Sequence, residues 1–139
     1  MEEIMKRIIV IGHGGYAEGV RQNLEMIAGP RENMYFADLT IEIDLSALEE
    51  KVKKLLDGFG DDEVLFACDL LGASPFRVAA MQCAENPGKY YAVAGLNTMA
   101  LLEASMNAEN GMTIEELADF AVQTTKDAVA RFPEKENGI

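Results

Sequence analysis

The stretch Arg7-Ile8-Ile9-Val10-Ile11-Gly12-His13-Gly14-Gly15 decides how the rest of the chain is read. Four consecutive β-branched residues form a short apolar run without alternation, the pattern of a strand buried on both faces of a parallel sheet. Glycines follow it at once, and then Tyr16, Val20, Leu24 and Ile27 recur at helical spacing until Gly29-Pro30 ends the helix. Strand, glycine loop, helix is the opening of an α/β unit. Working outward, Met34 to Leu39 reads as a second strand, Glu63 to Cys68 as a third and Tyr90 to Ala94 as a fourth. Between them, Leu45, Leu48, Val52, Leu55 and Leu56 make one helical face, with Glu49–Lys53 and Glu50–Lys54 as i,i+4 pairs on the outside. Ser74-Pro75 reads as an N-cap followed by the first helical residue, and that helix stops near Asn86-Pro87-Gly88. Met99 to Met106 is helical, and Thr113-Ile114-Glu115-Glu116 is a capping box opening a last helix.

The expected fold is therefore α/β: an open, mostly parallel sheet of about four strands, with room for an antiparallel edge strand, and helices on both faces. A chain of 139 residues makes one domain, assigned to 1–133, with 134–139 as a frayed tail after Pro133. In such sheets the functional crevice lies beyond the carboxyl ends of the strands. The Gly12–Gly15 and Asp69–Ser74 loops share that edge if the first and third strands are neighbours.

Bulk properties narrow the function. The formal net charge of −12 disfavours nucleic acid and anionic membrane surfaces and favours a partner with a basic face. No stretch approaches the roughly 18 apolar residues of a membrane span, and the acidic start, Met1-Glu2-Glu3, is unlike a signal peptide. One histidine and two separated cysteines, Cys68 and Cys83, exclude a structural zinc site, so neither metal nor cofactor is expected. The cysteines read as buried thiols, and the whole fits a cytoplasmic protein.

Chemistry concentrates in two loops. His13, the sole histidine, is flanked by glycines that leave it uncovered and let a partner approach closely. The helix beginning after it aims N–H groups and a positive dipole end at the loop, a seat for a phosphoryl group. A carboxylate beside an imidazole accepts one ring N–H, sets the tautomer, leaves the other nitrogen bare and favours the charge the ring gains on phosphorylation. Asp69 is the residue placed to do this; its plainer reading is a strand-end aspartate. Ser74 is open to two compatible readings, helix cap and phosphate donor. Gly14, Gly15, Gly72 and Ser74 are the expected phosphate-binding set, and His13 and Asp69 the catalytic pair. Arg77, one turn further on, reads as solvated.

Gly12-x-Gly14-x-x-Ala17 also matches the dinucleotide fingerprint G-x-G-x-x-G/A, with Asp38 placed about 20 residues later as a ribose-binding acid. A small Rossmann-type nucleotide-binding protein is thus the rival of another class. It leaves the Asp69–Phe76 loop unexplained.

Taken together, the glycine–histidine loop, YAEG (16–19), LEMIAGP (24–30), CDLLGASPF (68–76) and VAGLN (93–97) resemble the IIA phosphocarrier components of mannose-family (mannose/fructose/sorbose) sugar phosphotransferase systems. The resemblance spans roughly Lys6 to Phe132. It implies an open α/β sheet, a homodimer, phosphorylation of His13, orientation of its ring by Asp69 and phosphate contact by Ser74. It also implies two partners: the general histidine phosphocarrier protein as donor and the B component of the sugar permease as acceptor. The phosphocarrier subunit of phosphoenolpyruvate-dependent dihydroxyacetone kinases is the nearest alternative. Two departures stand out: Gly12 where the family often has Ser or Thr, and Thr98-Met99-Ala100 where a proline and Met-Leu usually follow the Gly-Leu-Asn stretch.

Overall fold

The computed structural model describes residues 3–135. The elements alternate: β1 (Lys6–His13), α1 (Tyr16–Ala28), β2 (Met34–Leu39), α2 (Leu45–Phe59), β3 (Glu63–Cys68), α3 (Ser74–Glu85), β4 (Tyr90–Ala94), then α4 (Thr98–Asn107) and α5 (Ile114–Ala128). The four strands form one sheet in the order β2-β1-β3-β4, and every pairing is parallel. No antiparallel edge strand is present among the described residues, so the outer edge of β4 is unpaired there. Of the expected tail, 136–139 lie outside the described residues; Glu134 and Lys135 belong to no helix or strand.

The β-branched run of β1 explains the layering. Ile8, Ile9, Val10 and Ile11 are all fully buried, and successive residues point to opposite faces. Ile8 and Val10 join Leu24 of α1, Leu101 of α4 and Leu117 of α5 in one core. Ile9 and Ile11 join Leu48 and Val52 of α2 and Val78 of α3 in the other. Two cores on two faces require helices on both sides of the sheet.

Three local readings change. β1 runs through His13, whose Cα pairs with Leu39 of β2, so the histidine ends a strand and the loop proper is Gly14-Gly15. Helix α3 begins at Ser74, with Ala73 in the cap position and no side-chain cap. Pro75 is accommodated at the second helical position because that N–H has no intrahelical partner either. Of the two outer pairs on α2, Glu50–Lys54 closes at 3.7 Å and Glu49–Lys53 makes no ion pair in the structure; exposed pairs of this kind are worth little. The capping box of α5 forms in both directions: Glu116 N–H donates to Thr113 Oγ1 at 3.1 Å, and Thr113 N–H donates to Glu116 Oε1 at 2.9 Å.

Candidate functional site at the carboxyl edge of the sheet

β1 and β3 are neighbours, with Ile11 opposite Cys68. The next residues in each chain, Gly12-His13 and Asp69, therefore meet at the carboxyl edge. The Asp69 N–H donates to the Ile11 carbonyl at 3.2 Å, which continues the ladder by one bond. Asp69 Oδ2 then accepts twice from His13: from its backbone N–H at 2.9 Å and from ring Nδ1 at 2.7 Å. A carboxylate only accepts, so in the neutral ring the proton is on Nδ1 and the lone pair is on Nε2. The His13 side chain is 42% exposed and that of Asp69 15%. The aspartate is the more buried partner, and the imidazole is the more exposed one. Asp69 Oδ1 is buried without a hydrogen-bond partner, so the whole hydrogen-bonding capacity of this carboxylate is directed through Oδ2 to His13.

Gly12 is a matter of space. A Cβ built there would lie 2.6 Å from Tyr16 Cδ2 and 3.0 Å from both Cγ and Oδ2 of Asp69. A serine or threonine at this position requires the ring and the carboxylate to stand elsewhere. Gly14 is glycine for a different reason: its φ of +58° is left-handed, a conformation that side chains disfavour.

The expected phosphate-binding set is placed less uniformly. The Gly14 N–H already donates to the Leu39 carbonyl at 2.7 Å, extending the β1–β2 ladder. Asp38, at the end of β2, reaches the first turn of α1: Oδ1 accepts from Ala17 N–H at 2.9 Å and Oδ2 from Glu18 N–H at 3.2 Å. Helix α1 has Gly15 in its cap position and no cap of its own, so a strand neighbour supplies one. This occupies both Asp38 oxygens, removes the ribose-binding acid on which the dinucleotide reading depended, and closes part of the anion seat expected at α1. The start of α3 is open by contrast. No side chain caps it, and neither Ser74 nor Phe76 N–H has a partner among the described residues. Gly72, in the loop before it, takes a φ of +80°, and its carbonyl accepts from Arg77 Nε at 3.1 Å. Arg77 is thus a brace on this loop, not a merely solvated charge.

The second departure is also explained. Asn97 caps α4 by accepting from Ala100 N–H at 3.0 Å, and Thr98 fills the first helical position, where proline is otherwise favoured. The Thr98 hydroxyl donates to Asn23 Oδ1 at 2.8 Å, linking α4 to α1.

Burial pushes the Cys68 thiol up to about 12 and the Cys83 thiol to about 11, so neither supplies a thiolate nucleophile near neutral pH. No group of three or more metal-ligating side chains is found among the described residues. His13 is left as the one nucleophile at this edge with a carboxylate behind it. Tyr16 and Asp38 were not recognisable as parts of this site from local spacing. The one sequence clue was a helix that starts on Gly-Gly-Tyr and needs a cap from elsewhere.

The family model EIIA-man, described as PTS system fructose IIA component, matches residues 7–122. The chain is 33% identical over 123 residues to the PTS system mannose-specific EIIAB component of Escherichia coli (strain K12), covering 87% of this chain and 38% of that protein. It therefore spans well under half the length of that relative. It is 26% identical over 128 residues to the PTS system sorbose-specific EIIA component of Lacticaseibacillus casei, covering 92% of this chain and 91% of that one. Among solved structures, the mannose/sorbose specific IIA subunit of the phosphotransferase system from Enterococcus faecalis superimposes with a TM-score of 0.83 at 28% identity, covering 96% of this chain and 98% of that one. The family model covers most of the chain, and the chain belongs to the EIIA-man family of phosphotransferase-system IIA components.

Proposed function

We propose that this chain is a phosphohistidine carrier: His13 accepts a phosphoryl group from the general histidine phosphocarrier protein and passes it to the B component of a mannose-family sugar permease. The observation that carries this reading is the 2.7 Å contact between His13 Nδ1 and Asp69 Oδ2, which leaves the Nε2 lone pair free on a side chain that is 42% exposed. In the forward step the Nε2 lone pair attacks phosphorus in line. The new N–P bond forms as the donor's N–P bond breaks, and that electron pair returns to the donor's ring nitrogen. The His13 ring becomes cationic and keeps its proton on Nδ1, donated in a hydrogen bond to Asp69, whose negative charge stabilises the ring. Such transfers need positioning and charge stabilisation more than covalent help from the protein. Gly15, Gly72 and the open start of α3 at Ser74 border the space where the equatorial oxygens would lie. Gly14 contributes its left-handed turn, since its N–H is engaged. The second transfer is the reverse chemistry, onto a nucleophile of the B component.

Exposed apolar side chains surround this edge: Ile41 after β2, Leu70 and Leu71 after β3, and Met99 at the start of α4. With a net charge of −12 they suit a docking partner with an apolar centre and a basic rim. We read residues 1–133 as one IIA-type domain acting in the cytoplasm, where its partners would be; no described helix is long and apolar enough to cross a membrane. Homodimerisation is part of the same proposal; β2 and β4 are the two edge strands, each with an unpaired outer side among the described residues. The sugar-system relatives favour this reading over the dihydroxyacetone kinase alternative, and the engaged Asp38 disfavours nucleotide binding.

Incubated with phosphoenolpyruvate and the two general phosphotransferase proteins, the chain should gain one acid-labile, base-stable phosphoryl group. His13→Ala should gain none while melting like the parent. Labelling of that variant would overturn the proposal.

A further inference from the structure

Tyr16 opens α1 and takes part in none of the steps above, yet it is built into the site. Gly12 pairs with Asp38 of β2, and Asp69 lies one residue past the Ile11–Cys68 pair on the other side. Gly12 thus stands between two carboxylate-bearing positions. Its missing side chain leaves a gap that the Tyr16 ring and the Asp69 carboxylate fill together, at 2.6 Å and 3.0 Å from where a Cβ would be. The phenol feels both acids: burial raises its pKa first, and the charges of Asp69, Cys68 and Asp38 raise it further. Asp38 in turn holds the N–H groups of Ala17 and Glu18, the two residues after Tyr16, and so fixes where the ring stands. Asp69 Oδ1 makes no hydrogen bond and is sealed from solvent. Something must both keep water from that oxygen and stop the carboxylate from rotating out to find it.

We propose that Tyr16 is a positioning residue: its ring, seated in the space left by Gly12, holds the Asp69 carboxylate against His13 and thereby sets the His13 tautomer. The contact is one of shape, so the ring matters and the hydroxyl does not. Gly12 and Tyr16 form a matched pair, since a side chain at 12 and the ring at 16 exclude each other. The functional weight of this inference rests on His13 being the phosphoryl carrier; its geometry does not.

The test uses the ring ¹⁵N resonances of the single histidine in the unphosphorylated full chain. At a pH where the ring is neutral, the parent and Tyr16→Phe should both carry the proton on Nδ1. Tyr16→Leu, which keeps apolar volume over the core, should shift His13 toward the Nε2–H form that free imidazole side chains prefer, and slow phosphoryl acceptance about tenfold or more. Gly12→Ala should do the same by displacing ring and carboxylate. A purely structural role would lower the melting temperature and leave the tautomer alone. A folded Tyr16→Leu that retains the Nδ1–H tautomer overturns the proposal; Tyr16→Phe behaving like Tyr16→Leu also overturns it, because the hydroxyl would then be the working group. Should the parent fail to become phosphorylated on His13 while the tautomer still responds to position 16, the carrier reading falls and this one stands.

Discussion

The two edges of the sheet are built on opposite rules. At the amino edge the polar groups are paired off. Arg7 donates from Nε to Asp62 Oδ2 at 2.9 Å and forms an ion pair with the same oxygen through its terminal nitrogen at 2.9 Å, while Asp62 Oδ1 accepts from Met5 N–H at 2.9 Å. The guanidinium lies 4.6 Å from the centroid of Phe59 and donates to the Tyr35 hydroxyl. Nearby, buried Ser105 donates to Asn33 Oδ1 at 2.6 Å and accepts from Arg31 Nε at 3.0 Å. At the carboxyl edge the reverse holds. Among the described residues His13 Nε2 has no hydrogen-bond partner, Asp69 Oδ1 is orphaned, α3 starts without a side-chain cap, and Leu70 and Leu71 are exposed. Unpaired buried polar groups and exposed apolar ones both cost stability. Exposed apolar side chains occur at both edges, Ile4 and Met5 beside Arg7 included; the orphaned carboxylate oxygen and the uncapped helix start are what set the carboxyl edge apart, and they mark where the chain gives up stability for chemistry.

Substitutions at the two edges should therefore separate rate from stability. The largest effect on rate is expected for Asp69→Ala. Removing the ring's partner frees the tautomer and withdraws charge from the phosphorylated ring, and losses of about 10- to 100-fold are typical where a histidine's orienting carboxylate is removed. The melting temperature should change little, because the orphaned Oδ1 leaves with the side chain while the His13 backbone N–H loses its acceptor, two opposed effects of similar size. Rapid-quench measurement of phosphoryl acceptance beside thermal melting checks both halves; wild-type rates would dissolve the contrast. Asp62→Ala is the opposite case. It strands a guanidinium whose side chain is only 20% exposed and should cost about 1–3 kcal/mol, seen as a lower denaturant midpoint, with transfer rates unchanged. A slowed transfer in that variant would show that the two edges are coupled.

Most of the scaffold was legible in the sequence. The bounds of β2, β3 and β4 coincide with the runs Met34–Leu39, Glu63–Cys68 and Tyr90–Ala94, because β-branched and aromatic residues bounded by turn formers leave little choice. The Thr113 capping box was equally plain, since both of its partners lie within four residues. The His13–Asp69 pair, 56 residues apart, was reachable through one topological step, the adjacency of the first and third strands. What stayed hidden depends on contacts across strands. The spacing of Asp38 from Gly12 suits the rival nucleotide-binding reading, whereas in the fold it caps α1 from the neighbouring strand. Gly12 stands out in the sequence only as a departure from Ser or Thr; its identity follows from the ring of Tyr16 and the carboxylate of Asp69 standing where its side chain would be. Ser74 was placed one position too early, because serine before proline is a common cap pattern and the backbone of Ala73 already supplies the extended residue the helix start needs.

The central claim is that Asp69 reserves Nδ1 of His13 and leaves Nε2 to carry the phosphoryl group. Phosphorus–nitrogen coupling in the ¹⁵N-labelled, phosphorylated chain reads this directly. The geometry predicts coupling to Nε2 with a proton still on Nδ1; phosphorus bonded to Nδ1, or to any residue other than His13, would contradict it.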